Sequence, residues 1–117
     1  MVNPYDEQAR LDAMMACAIA SVGRHFSHVA LADIIKPPHG LFDALLARQI
    51  ALHILVTEFG IPQRRIAKMW TRQRTSIHFA VRRVDERLGS PVFARAYAAM
   101  AGRAKDLFTK QLMEAAA

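Results

Sequence analysis

Arg64, Arg65, Lys68, Arg72, Arg74, Arg82, Arg83 and Arg87 crowd into residues 61–88, where only Asp85 and Glu86 oppose them. The rest of the chain carries eight basic and eight acidic side chains, so the whole formal charge of +6 sits in this one stretch. A cationic excess so confined has the chemistry of a footprint for phosphates or another polyanion. Other chemistries are poorly supplied. His25 and His28 have an i, i+3 spacing that would let them share a metal ion, but no cysteine or acidic cluster completes a coordination sphere, and neither metal nor cofactor is expected. His53 falls in an apolar segment and reads as a core histidine, His39 as a loop residue. There is no carboxylate pair, no nucleophile beside a base and no GxxxxGK[ST] phosphate loop, so the chain is not expected to be an enzyme or to house an ATPase.

The single cysteine, Cys17, lies in the apolar run 13–20 and reads as a small core residue in a reducing compartment. No secretory leader is recognisable, and the longest apolar run, 50–56, is far short of the roughly 20 residues that span a bilayer. The expectation is a cytoplasmic, nucleoid-associated protein. A length of 117 residues with 53% hydrophobic content suits one domain over residues 1–117 with its own core.

The elements that must position the basic stretch are all helical, about six in number. Asn3 followed by Pro4, Asp6 and Glu7 predicts a helix start, and Leu11, Met14, Met15, Ala18, Ile19, Val22 and Phe26 continue it as one apolar stripe. A short helix over 30–35 ends where Lys36-Pro37-Pro38-His39-Gly40 cannot continue it. Residues 41–59 form a third helix, apolar nearly all round through Leu45, Leu46, Ile50, Leu52, Ile54, Leu55 and Phe59, and Gly60 closes it. Pro62 starts a fourth, short helix whose inward residues are Ile66, Met69 and Trp70, and 71–73 turn the chain. The fifth helix, 74–88, sets Ile77, Ala80, Val81, Val84 and Leu88 on one narrow arc, with Thr75, His78, Phe79, Arg82 and Glu86 opposite. A last, long helix runs over about 91–114. Its end, with Leu107, Phe108, Leu112 and Met113, offers a surface for a homodimer contact or for RNA polymerase or a partner transcription factor, or else covers the first helix.

Two helices joined by a short turn, the second apolar behind and basic in front, match a helix-turn-helix that enters the major groove of duplex DNA. On that reading Arg72, Arg74, His78 and Phe79 reach bases, Phe79 through an apolar contact. Arg64, Arg65, Lys68, Arg82 and Arg83 neutralise phosphates.

Most of the chain also resembles the C-terminal DNA-binding domain of the bacterial replication initiator DnaA, a helical domain of the Trp-repressor type. The likeness rests on Ala30-Leu31-Ala32-Asp33-Ile34, Ala47-Arg48-Gln49-Ile50-Ala51, Ile66-Ala67-Lys68-Met69-Trp70, Arg72-Gln73-Arg74-Thr75-Ser76-Ile77 and Ala80-Val81-Arg82-Arg83-Val84, in the family's order and spacing but for one residue fewer at the turn. The resemblance implies that Arg48 and Gln49 hold phosphates, that Gln73, Arg74 and Thr75 face bases, and that Ser76 meets the backbone. Thr75 keeps the family residue. Gln73-Arg74 stand where the family has Asp-His, and Thr71 alone replaces its Gly-Gly, which implies a different target sequence. No counterpart of the family's minor-groove arginine occurs near Gly40. Stand-alone relatives of this type are associated with activators of phage-like clusters such as gene transfer agents.

These readings converge on a sequence-specific transcription regulator on double-stranded DNA, monomeric or homodimeric, without membrane attachment. The alternatives are a protein-interaction module or ligand-sensing repressor whose basic helix meets an acidic partner, and a replication-linked DNA-binding factor. RNA binding is disfavoured because an exposed aromatic platform is missing, with Phe79 the lone candidate.

Overall fold

A computed structural model describes residues 2–71 and 73–116. The described residues form helices joined by short connections, with no strand among them: α1 (Glu7–His25), α2 (Leu31–Ile35), α3 (Phe42–His53), α4 (Gln63–Ile66), α5 (Arg74–Arg87) and α6 (Pro91–Ala116). This is the all-α class expected from the hydrophobic periodicity. None of the described helices is long and apolar enough to cross a membrane.

The first helix begins three residues later than Asn3 and Pro4 suggest. Asp6, in extended conformation, caps α1 by accepting from the Gln8 amide at 3.0 Å. Asn3 instead closes a separate turn by accepting from the Tyr5 amide at 3.0 Å. Both are short polar side chains able to cap a backbone, and Asp6 carries the charge that complements the positive end of the helix.

Helix α3 is the strut. Ala44, Ala47, Ile50, Ala51 and Leu52 are buried, and the chain then widens into a π-helical turn, Ile54–Glu58, whose Ile54 and Leu55 are also buried. Leu45, expected to face inward, is instead exposed. Gly60 stops the element as expected, at φ +68°, and the Ile61 amide folds back to donate to the Leu55 carbonyl at 3.0 Å.

Helices α1 and α6 pack along each other. Leu11, Ala18 and Val22 of α1 and Tyr97, Met100, Ala101 and Ala104 of α6 belong to one core. The buried Ser21 hydroxyl donates to the Met100 carbonyl at 2.6 Å, which pins the pair at mid-length. At about 1.5 Å per residue, the 26 residues of α6 nearly fill the molecule's longest dimension of 42 Å. Its far end is used internally. Phe108 is buried, edge-on to the Phe59 ring at 5.6 Å and beneath the Arg10 guanidinium, so it leaves the set proposed for partner contact. Leu107 and Leu112 are half-buried, and only Met113 of that set stands clear, 68% exposed.

Against this frame α5 lays Ile77, Ala80 and Val84, all buried, while Val81 and Leu88 are half-buried at the rim of the same arc. Trp70 packs against the core, and its indole N–H donates to the Ile35 carbonyl at 2.8 Å, tying the segment before α5 to α2. The two faces of α5 should therefore respond differently to truncation. Ile77→Ala is expected to cost about 2 to 5 kcal/mol of unfolding free energy by urea titration, whereas Thr75→Ala should stay within about 0.5 kcal/mol.

Candidate nucleic-acid interface

The basic stretch folds as α4, a π-helical turn over Ala67–Thr71, and α5. Arg74, Thr75, His78, Phe79 and Arg82 are all exposed on α5, and Arg64 and Lys68 are exposed on the segment before it. They are not scattered. Arg64, Lys68 and Arg74 border one open hollow of about 470 Å³, and Gln63, Arg74, Thr75 and His78 border a second of about 320 Å³. Arg74 borders both, so the two cation-edged hollows adjoin at the start of α5.

Phe79 is 58% exposed on the outward side of α5, away from the buried arc. No packing need places an aromatic ring there. Gln73 precedes the helix in extended conformation and accepts from the Ser76 hydroxyl at 3.0 Å, an interaction that orders the first turn. Ser76 is accordingly half-buried and engaged within the helix start. Arg72, a further base-reading candidate, lies outside the described residues.

The electrostatics sharpen the picture. Among the described residues, both acids of residues 61–88 are occupied: Asp85 by His53 at 2.7 Å and Glu86 by Arg83 at 3.6 Å. Arg65 is held by Glu7 of α1 at 3.2 Å, which compensates part of its charge at the surface. Arg87 lies over the Phe42 ring at 5.6 Å. No described carboxylate pairs with Arg64, Lys68, Arg74 or Arg82; the first three line one hollow, and Arg82 is exposed one turn beyond His78 on α5.

The two α3 candidates part company. Arg48 is half-buried beside residues 37–40, Phe42 and Leu45, around a hollow of about 380 Å³, and its Nε is buried without a hydrogen-bond partner. Desolvation lowers its pKa from the usual arginine value. Because Arg87 of α5 stacks on Phe42, this hollow adjoins the C-terminal end of α5, away from the α4 side. Gln49, by contrast, is buried, only 8% exposed, and is not presented to solvent for a phosphate. Along α3 the residue after an outward Arg48 turns about 100° toward the interior, and the Arg-Gln pattern by itself did not distinguish the two.

Sequence reasoning identified His53 as buried but not its partners. At 1% exposure its ring lies between α5 and α6: Nε2 is 2.7 Å from the Asp85 carboxylate and Nδ1 is 2.5 Å from the Tyr97 hydroxyl. An ionised carboxylate only accepts, so Nε2–H donates to Asp85, while Nδ1 shares a hydrogen bond with the Tyr97 hydroxyl. Outside this cluster, His28 bonds Asp43 at 2.7 Å and the His25 ring packs edge-on to Phe26. No described group of three or more metal-ligating side chains assembles around them.

Tyr97 generates a pH prediction. Burial first, then the Glu58 carboxylate and Asp85, push its pKa well above the usual value. The folded state thus holds this proton more tightly than the unfolded chain, whose tyrosine titrates near pH 10. The associated stability is fully present below about pH 10 and is lost as pH rises beyond it, by at most about 1.4 kcal/mol per pH unit. Urea midpoints measured from pH 9 to pH 11.5 should fall more steeply for the wild type than for Tyr97→Phe. Parallel curves would show that Tyr97 does not couple to alkaline unfolding.

Comparison with protein-family models, with curated proteins and with solved structures found no match to this chain.

Proposed function

We propose that this chain binds double-stranded DNA through a helix-turn-helix made of α4 and α5, and that it regulates transcription from the site it occupies. The observation that carries the reading is the face shared by Arg64, Lys68, Arg74, Thr75, His78, Phe79 and Arg82: exposed, cationic and without carboxylate partners. An aliphatic back, Ile77, Ala80 and Val84, holds it from behind. A groove-reading helix needs this division, since its rear must be fixed before its front can discriminate.

In this reading α5 lies in the major groove and α4 braces across the backbone. Arg64, Lys68 and Arg82 neutralise phosphates and release counterions, which supplies affinity without sequence. Discrimination comes from the start of α5. Arg74 can grip guanine O6 and N7 in a bidentate contact, Gln73 can pair with adenine, and Thr75 and Phe79 suit the thymine methyl group. The resemblance to the DnaA C-terminal domain supports the same placement, and its departures at Gln73 and Arg74 point to a target other than the family's box. Arg48, at the other flank of α5, is positioned to take a further phosphate.

Selection of bound duplexes from a random pool, followed by a salt series on the best one, tests this. The three phosphate-neutralising cations, Arg64, Lys68 and Arg82, alone imply a slope of log affinity against log salt of about −2.7. Arg74→Ala should lose about 1 to 3 kcal/mol on the selected duplex and relax preference at one base position. Lys68→Ala should weaken all duplexes alike and flatten the slope by about one. Indistinguishable binding to every duplex, by wild type and variants alike, would overturn sequence-specific recognition. Recovery of an acidic protein instead of DNA from native extracts would favour a protein-binding role for this face.

A further inference from the structure

We infer that His53 is a positioning residue for base recognition, acting through Asp85 to fix the rotation of α5 about its own axis; this rests on the DNA-binding reading above. The ring of His53 spans two elements that the apolar core holds only without direction. From α3 it donates to Asp85 of α5 at 2.7 Å, and on its other side it meets Tyr97 of α6 at 2.5 Å. Tyr97 in turn lies close to Glu58, whose carboxylate accepts from the Lys105 ammonium at 2.9 Å. A polar chain therefore runs from the surface of α5 through the interior to α6.

The rear of α5 is aliphatic. Ile77, Ala80 and Val84 secure its burial, but apolar contact is non-directional, and Ala80 at the centre offers little to resist a small rotation. The bond to Asp85 is directional and charge-assisted. Its donor cannot drift, because the ring is enclosed and both nitrogens are engaged. Asp85 also lies on the flank of α5 that carries Arg74 and His78, spaced at whole turns along the helix. A rotation that drew Asp85 away from His53 would carry both side chains with it, and a recognition constellation tolerates only about 0.5 Å of such error.

The proposal predicts an effect opposite in sign to simple electrostatics. Asp85 is a carboxylate, 60% exposed, on a face that meets phosphates. If its charge were all that mattered, removing it would tighten binding to every duplex. As the anchor of α5, its removal must instead degrade discrimination.

The experiment measures affinity for a selected duplex and for a random duplex of equal length, in wild type, Asp85→Ala, Asp85→Asn and Glu86→Ala. Asp85→Ala is expected to lower the ratio of specific to random affinity by about five- to tenfold. Asp85→Asn removes the same charge but keeps an oxygen that can accept from His53, so it should recover part of that ratio. Glu86→Ala removes the adjacent acid, which has only Arg83 as its partner, and should tighten both duplexes with the ratio unchanged.

Equal tightening by Ala and Asn at position 85, with the ratio preserved, would overturn the positioning role. A readout independent of DNA separates this from failure of the binding reading. Amide hydrogen exchange along residues 74–87 should rise in Asp85→Ala and less in Asp85→Asn, with α1 unaffected. Should the wild type bind no duplex, the recognition role falls, and the exchange data still decide whether His53 anchors α5.

Discussion

The seating of Ile77, Ala80 and Val84 against α3 is the interaction on which the rest of the molecule depends. It determines which side of α5 faces water, and every candidate contact residue on that helix inherits its orientation from it. Because these three positions recur at helical spacing, their burial sets Thr75, His78, Phe79 and Arg82 outward without any interaction of their own. The strut α3 supplies a floor of Ala44, Ala47, Ile50 and Ala51, small enough at three of four positions for close approach of its neighbours. The α1–α6 pair stands behind that floor and includes no residue of the cationic face.

Charge is then sorted by partner. The basic stretch is opposed by so few acids that two local interactions decide its potential: His53 takes Asp85 and Arg83 takes Glu86. Glu7 reaches from α1 to Arg65, and the Phe42 ring receives Arg87. Among the described residues of the stretch, Arg64, Lys68, Arg74 and Arg82 remain unpaired by a carboxylate, and the first three line one hollow. Exposed ion pairs such as Arg83–Glu86 contribute little to stability. Their consequence here is spatial, since they leave the free cations on one side of α5 and the compensated ones along its edges.

Much of this was legible in the sequence, for identifiable reasons. The apolar arc of α5 follows from a 3.6-residue period, and the end of the helical segment that continues α3 follows from a glycine able to adopt positive φ at position 60. Local chemistry was less decisive where two residues compete for one role. Asn3 and Asp6 are both good caps, and only the tertiary path of the chain settles that Asp6 takes the helix. The π-helical turns over Ile54–Glu58 and Ala67–Thr71 shift the register by one residue, which a fixed helical period cannot anticipate. That shift lies downstream of Gln49, whose burial is instead a matter of which neighbours surround α3. The polar chain through His53 joins residues 32 and 44 positions apart, a separation at which sequence pattern carries no information on pairing.

The separation of back from front has a consequence for how such a surface can change. Gln73, Arg74, Thr75, His78 and Phe79 are exposed and contribute little to the core, so substitution there alters the chemistry of the surface at small cost in folding free energy. Ile66, Ile77 and Val84 have no such freedom, because a cavity or a buried polar group at any of them would displace the helix itself. Asp85 belongs to neither class. It is exposed like the front residues yet bound to the interior like the back ones, and it alone of the α5 surface side chains couples outward chemistry to a buried ring.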